Sequence, residues 1–154
     1  MARRVDMCEL AVSHTAGRTL FGPENKFPDL SRTILVVDDE EIVIEVTKEI
    51  LEATGYRVQT ASTGQEAVDL YQRKKDQIQV VILDMVMPGM DCVETLERLR
   101  LINPTAKIVL SSGYSMNNEI KKMMAQGANC FLPKPFRIEQ LLKTIGDVLQ
   151  SSQQ

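Results

Sequence analysis

An open parallel α/β sheet with helices on both faces is the fold this sequence predicts, and three observations carry the prediction. Short, wholly apolar runs recur: Ile34-Leu35-Val36-Val37, Val80-Val81-Ile82-Leu83 and Ile108-Val109-Leu110. Segments with apolar residues at helical spacing separate them. Polar, chemistry-bearing residues follow the runs directly. Runs of this kind suit strands buried on both faces, and parallel neighbours need crossover connections, which are right-handed.

Residues 1–32 lack sustained periodicity and end in Phe21-Gly22-Pro23-Glu24-Asn25-Lys26-Phe27-Pro28, crowded with turn formers, so they read as a flexible tail or linker. Its charges are of both signs, which excludes a basic arm. The first strand begins at Thr33. A helix with Ile42, Val46 and Ile50 on one face follows, then a strand from Tyr56 to Ala61 and a helix carrying Ala67, Leu70 and Tyr71. The third strand ends at Leu83, and Val93, Leu96 and Leu99 mark the next helix. After the fourth strand come a helix with Ile120, Met123 and Met124, a short strand at Cys130-Phe131-Leu132, and a last helix with Ile138, Leu141, Leu142, Ile145, Val148 and Leu149. Five βα units therefore occupy residues 33–150, and 151–154 form a short C-terminal tail.

The 154 residues, 44% hydrophobic and 25% charged, are one domain's worth of ordinary soluble protein. A formal charge of -3 gives no general pull toward nucleic acid or an anionic membrane. Cys8, Cys92 and Cys130 form no Cys-x-x-Cys pair, and no run reaches the ~18 apolar residues of a membrane span; a cytoplasmic protein is expected.

In open α/β sheets ligands bind beyond the carboxyl ends of the strands. Here those ends hold Asp38-Asp39-Glu40, Asp84, Ser111-Ser112-Gly113 and Pro133-Lys134-Pro135. One acidic residue in such a place most often caps the next helix, and Glu40 and Asp91 are read so. Three carboxylates at one sheet end repel unless a cation neutralises them, and oxygen donors without histidine or cysteine point to Mg²⁺. A lysine and a hydroxyl beside them suit a phosphoryl group.

The segments Val36-Val37-Asp38-Asp39-Glu40, Ile82-Leu83-Asp84-Met85-Val86-Met87-Pro88-Gly89-Met90-Asp91, Ser112-Gly113 and Lys134-Pro135-Phe136 resemble bacterial response-regulator receiver domains over about residues 33–150. The resemblance implies a flavodoxin-like fold with strand order 2-1-3-4-5. It implies that Asp84 is the phosphoacceptor, and that Asp39, Asp84 and the Val86 carbonyl ligate Mg²⁺ while Asp38 holds a metal-bound water. Ser112 and Lys134 would bind phosphoryl oxygens. Ser112 and Phe131 would form the switch, changing the face made by the fourth helix, fifth strand and fifth helix. A cis Lys134-Pro135 peptide is also implied.

The donor would be a separate histidine kinase or histidine phosphotransfer protein, since the one histidine, His14, lies in the tail and reads as solvated. Asp84 is expected to be ionised at neutral pH, so no general base is needed. The output is expected to pass through contacts with a downstream protein, by a monomer or a phosphorylation-dependent dimer. The chain reads as a stand-alone regulator or as the receiver of a hybrid sensor kinase, without enzymatic activity beyond weak self-dephosphorylation.

Cys92 stands where the family usually has Gly, and is read as a small apolar filler. Ser112 replaces the commoner Thr and keeps the hydroxyl. The Met116, Met123 and Met124 group reads as ordinary helix packing. By the resemblance, Val86 and Tyr114 occupy family positions beside the phosphoryl group, where an apolar and an aromatic residue suggest a longer-lived phosphorylated state. Two competing readings are a phosphorylation-independent scaffold and a Mg²⁺-dependent phosphohydrolase with an aspartyl nucleophile. The second is disfavoured because Val86 occupies the place where such hydrolases carry a second Asp.

Overall fold

Residues 32–113 and 117–151 are described by the computed structural model. The apolar runs become β1 (Thr33–Val37), β3 (Ile78–Asp84) and β4 (Ile108–Ser112), joined by β2 (Arg57–Ala61) and β5 (Cys130–Pro133). Between and after them lie α1 (Glu41–Ala53), α2 (Gly64–Lys74), α3 (Cys92–Ile102), α4 (Asn118–Ala125) and α5 (Ile138–Gln150). All strand pairs are parallel, in the order β2-β1-β3-β4-β5. The topology therefore meets the expectation. Tyr114, Met116, Cys8, His14, Phe21 and Phe27, to which the sequence drew attention, lie outside the described residues, as does the tail as far as Ser31.

Strand alternation divides the core in two. Ile34, Val36, Val80, Ile82, Val109 and Leu132 point to the layer of α1 and α5, against Leu51, Leu141, Ile145 and Val148. Leu35, Val37, Val81, Leu83, Ile108 and Leu110 point to the other layer, against Ala67, Tyr71, Leu96, Leu99 and Met123 from α2, α3 and α4. Fully burying one such Leu, Ile or Val stabilises by about 1.5–3 kcal/mol before entropy is counted, so both layers are needed to hold the sheet.

The stripe of Ile42, Val46 and Ile50 on α1 meets the sheet only in part. Ile42 is 69% exposed and Val46 50%, while Thr47 and Leu51 are buried, with Ile44 and Ile50 packed beside them. Apolar residues cover more than half of this helix's circumference, so periodicity alone does not pick the half that meets the sheet. Smaller departures follow the same logic of local bonding. Tyr56 precedes β2 because its N–H still closes the end of α1 on the Leu51 carbonyl. Val93 is 39% and Ile138 47% exposed, each at the rim of its helix's apolar stripe.

Helix starts are fixed by side chains. Thr63, Asp91 and Asn117 each accept a backbone N–H, from Glu66 (3.1 Å), Glu94 (2.7 Å) and Ile120 (2.9 Å) respectively. Glu40 sits at the N-cap of α1 but makes no side-chain cap bond. No described helix is long and apolar enough to cross a membrane.

At the start of α2, Gly64 lies against Thr95 of α3, whose hydroxyl is buried and donates to the Asp91 carbonyl at 2.8 Å. A Cβ at Gly64 would overlap that hydroxyl oxygen. Alanine normally favours a helix, but here overpacking decides the sign. Gly64→Ala is expected to lower stability by about 1–3 kcal/mol in urea unfolding, and Thr95→Ala in the same chain should recover part of the loss.

Candidate functional site

The carboxyl ends of β1 and β3 are neighbours in the sheet, with Val37 paired to Leu83, so the residues just beyond them meet. Carboxylate oxygens of Asp38, Asp39 and Asp84 all lie within 4.8 Å of one another. Asp38 and Asp84 are only 3% and 5% exposed, and Asp39 is open to solvent. Lys134, just past β5, reaches across β4 to this cluster. Its Nζ donates to Asp38 Oδ2 at 2.5 Å and to Asp84 Oδ1 at 3.2 Å. The Lys134-Pro135 peptide is cis, and the Lys134 N–H donates to the Ser112 carbonyl at 2.8 Å, which ties the lysine to the end of β4.

Asp38 is oriented from both sides. Its Oδ1 accepts the Glu40 N–H at 2.9 Å while Oδ2 faces the lysine. The residue read as a simple cap, Glu40, thus contributes its backbone N–H to the site rather than its carboxylate. Asp91 does cap α3, as expected.

Charge governs the protonation of the site. Burial, and then the neighbouring charge of Asp38, push the Asp84 carboxyl up to about 6. The opposing pull of Lys134 and a hydrogen bond from the Val86 N–H offset only part of that. Asp84 is therefore still mostly ionised at pH 7. Burial alone would lower Lys134, but its hydrogen bond to Asp38 and the charges of both carboxylates outweigh it and hold the ammonium above its ordinary range. Cys92 is 6% exposed and belongs to the α2–α4 core, and burial, with the charges of Asp84 and Asp91, pushes its thiol up to about 12. A thiol so hard to ionise is a filler, not a nucleophile.

Ser112 and Phe131, the expected switch pair, share a sheet face. Ser112 lies two residues after Leu110, which pairs with Phe131, and Phe131 is partly buried against the α2–α4 core. Ser112 itself is 1% exposed. Val86, by contrast, is 54% exposed.

Reasoning from sequence missed the surroundings of the acidic cluster. A groove of about 880 Å³ opens beside Asp39 and Asp84, walled by Ile42, Val43 and Val46 of α1 and by Val86, Pro135 and Phe136. The exposed part of the α1 stripe is thus the wall of a pocket. The surplus of apolar residues on α1 was the available signal. Ser111, also passed over as a separate residue, is 2% exposed on the face that Asp84 occupies.

The donor set is carboxylate oxygen only, gathered close and partly exposed, which fits a hard divalent cation with water in its remaining positions.

Comparison with known proteins decides the family. The model of the response regulator receiver domain matches residues 34–146. The chain belongs to this family. The Brucella abortus sensor kinase CckA is 34% identical over 120 residues, covering 78% of this chain but 13% of that protein. A chemotaxis protein CheY from Halobacterium salinarum is 30% identical over 120 residues, 78% of this chain and 98% of that one. A receiver domain protein from Clostridium thermocellum has a TM-score of 0.75 at 29% identity, covering 79% of this chain and 97% of its own. The chain spans only 13–50% of several relatives, among them that sensor kinase, a Thermotoga maritima cyclic di-GMP phosphodiesterase and the Escherichia coli transcriptional regulatory protein CpxR. The receiver unit recurs within proteins of different outputs, and this one is a receiver domain of two-component signalling.

The raised Asp84 yields a signed expectation. A carboxyl with a pKa near 6 when folded and 3.8 otherwise takes up a proton on folding, so its ionised form weakens the fold as pH rises from about 4 to about 6. Asp84→Asn should therefore stabilise the Mg²⁺-free protein at pH 7, by up to about 3 kcal/mol. The gain should shrink as the pH of urea titrations is lowered through that window.

Proposed function

We propose that this receiver accepts a phosphoryl group on Asp84 from a phosphohistidine of a histidine kinase or phosphotransfer protein, and passes the signal to a downstream protein. The observation that carries the reading is the placement of one buried carboxylate, Asp84, against a second buried carboxylate and a lysine at the strand ends.

Asp84, mostly ionised at pH 7, needs no base to attack. Its oxygen would bond to phosphorus as the bond from phosphorus to the imidazole nitrogen breaks. Asp39, Asp84 and the Val86 carbonyl would hold Mg²⁺, with Asp38 fixing one of its waters. Bound there, the ion supplies neutralising charge for the carboxylates and for the incoming phosphoryl oxygens. Lys134 would move its ammonium from the carboxylates to one phosphoryl oxygen, and Ser112 would offer its hydroxyl to another. Phe131, on the face of Ser112, would then follow the hydroxyl inward and alter the surface of α4, β5 and α5, selecting partners that bind that form. The domain acts in this reading as acceptor rather than enzyme. Val86 supports it against a phosphohydrolase, because an aliphatic side chain cannot protonate a leaving group.

The apolar groove suits the donor. A protein presenting a phosphohistidine to Asp84 must rest against the adjacent wall, and Ile42 and Val46 stand exposed there.

Two measurements test this. Intact-protein mass after incubation with acetyl phosphate and Mg²⁺ should show one labile phosphoryl group, lost in Asp84→Ala and in chelator; a folded, Mg²⁺-binding protein that takes up none would favour a phosphorylation-independent scaffold. Replacing both Ile42 and Val46 with Ser should slow transfer from a phosphohistidine protein about tenfold or more, while labelling by acetyl phosphate stays at the wild-type rate. Equal slowing of both reactions would remove the groove from donor recognition.

A further inference from the structure

Ser111 is the buried hydroxyl that the resting site does not use. It is 2% exposed, and its Oγ has no hydrogen-bond partner. A buried hydroxyl left so is destabilising, and an alanine of nearly the same shape would avoid that cost. The position is also specific. In the register of β3 and β4, Ser111 pairs directly with Asp84, just as Ile82 pairs with Val109 and Leu83 with Leu110. Paired residues of parallel strands face the same way, and Ile82 and Val109 both lie in the α1–α5 layer. Asp84 and Ser111, each two residues further on, therefore share that face. Ser112, the next residue, falls on the opposite one. On β5, Leu132 pairs with Ser111, so Lys134, two residues further, belongs to the same side.

The hydroxyl on the phosphoacceptor's own side of the sheet is thus Ser111. In the resting molecule Asp84 Oδ1 has a donor already, the Lys134 ammonium at 3.2 Å. That ammonium also holds Asp38 at 2.5 Å, and in the function proposed above it would leave for an arriving phosphoryl group.

We propose that Ser111 is a positioning residue for the phosphorylated state: its hydroxyl turns about χ1 to donate to the Asp84 carboxyl oxygen that Lys134 gives up. The lysine and the serine would then alternate as donors to one oxygen, and the acyl phosphate would keep its orientation while the ammonium follows the phosphoryl group. The inference rests on phosphorylation at Asp84. Ser112 and Ser111 would accordingly divide the work of β4, one binding a phosphoryl oxygen and the other holding the acceptor side chain.

The test compares the wild type with Ser111→Ala and Ser111→Cys, the latter keeping the shape with a weak donor. Without phosphodonor, both variants should unfold at the wild-type urea midpoint or above it, since no hydrogen bond is lost. With Mg²⁺ and beryllofluoride as phosphoryl mimic, both should bind about three- to tenfold more weakly, and the acetyl-phosphate-derived acyl phosphate should decay at an altered rate. Two outcomes would overturn the proposal. One is wild-type beryllofluoride affinity and phosphate lifetime in both variants. The other is a loss of resting stability matching any loss of binding, which would make Ser111 a fixture of the fold, bonded through a buried water. If the wild type itself takes neither phosphate nor beryllofluoride, the failure lies with phosphorylation at Asp84 and not with Ser111.

Discussion

The contact between the Lys134 ammonium and the buried carboxylates of Asp38 and Asp84 is what lets the strand ends come together. Two carboxylates this close and this buried repel, and each resists losing water. One ammonium shared between them, at 2.5 and 3.2 Å, offsets part of that repulsion. The compensation is incomplete, as the upward displacement of Asp84 to about 6 records. The sheet supplies what the charges do not. β1, β3 and β4 are buried along nearly their whole length, and the register of β1 with β3 leaves Asp38 and Asp84 no other place to go.

The same register separates two tasks by strand parity. Side chains beyond the last apolar residues fall alternately toward α1 and α5 or toward α2, α3 and α4. Asp84, Ser111 and Lys134 follow the first face, and Asp84 and Lys134 also line the groove walled by α1. Ser112 and Phe131 follow the second, where Phe131 packs against the core of α2, α3 and α4. The two sets of side chains thus fall on opposite layers, and the Lys134 N–H donated to the Ser112 carbonyl is one backbone link between them. Any change in the lysine's position has a short path to the end of β4.

Much of this was legible in the sequence because it depends on short-range rules. Apolar runs gave the buried strands, and the residues immediately after them gave the acidic cluster, since in a parallel sheet those ends converge. What stayed hidden depends on three-dimensional choice. Ile42 and Val46 carry a helical period as well as Thr47 and Leu51 do, and only packing shows which pair faces the sheet. Lys134 was legible as a residue near the site, but its bridge between Asp38 and Asp84 needed the strand order and the reach of a side chain across β4. Ser111 and Ser112 are indistinguishable in a row of letters, and become different residues once pairing with Asp84 assigns their faces.

The incomplete compensation at rest bears on how such a site responds. A ligand shifts an equilibrium only by the difference in its affinity for the two states. A resting site that left nothing unsatisfied would have little to gain from a cation or a phosphoryl group. Here the Asp84 carboxylate is held against repulsion, one lysine serves two acids, and the hydroxyl of the serine paired with Asp84 has no hydrogen-bond partner. Each of these is a cost in the unmodified state that a positive ion and a lysine-seeking phosphoryl group would relieve. The fold can carry that cost because its two apolar layers lie on either side of the strands, away from the polar ends. The cost therefore remains local, in the few polar residues at the strand ends.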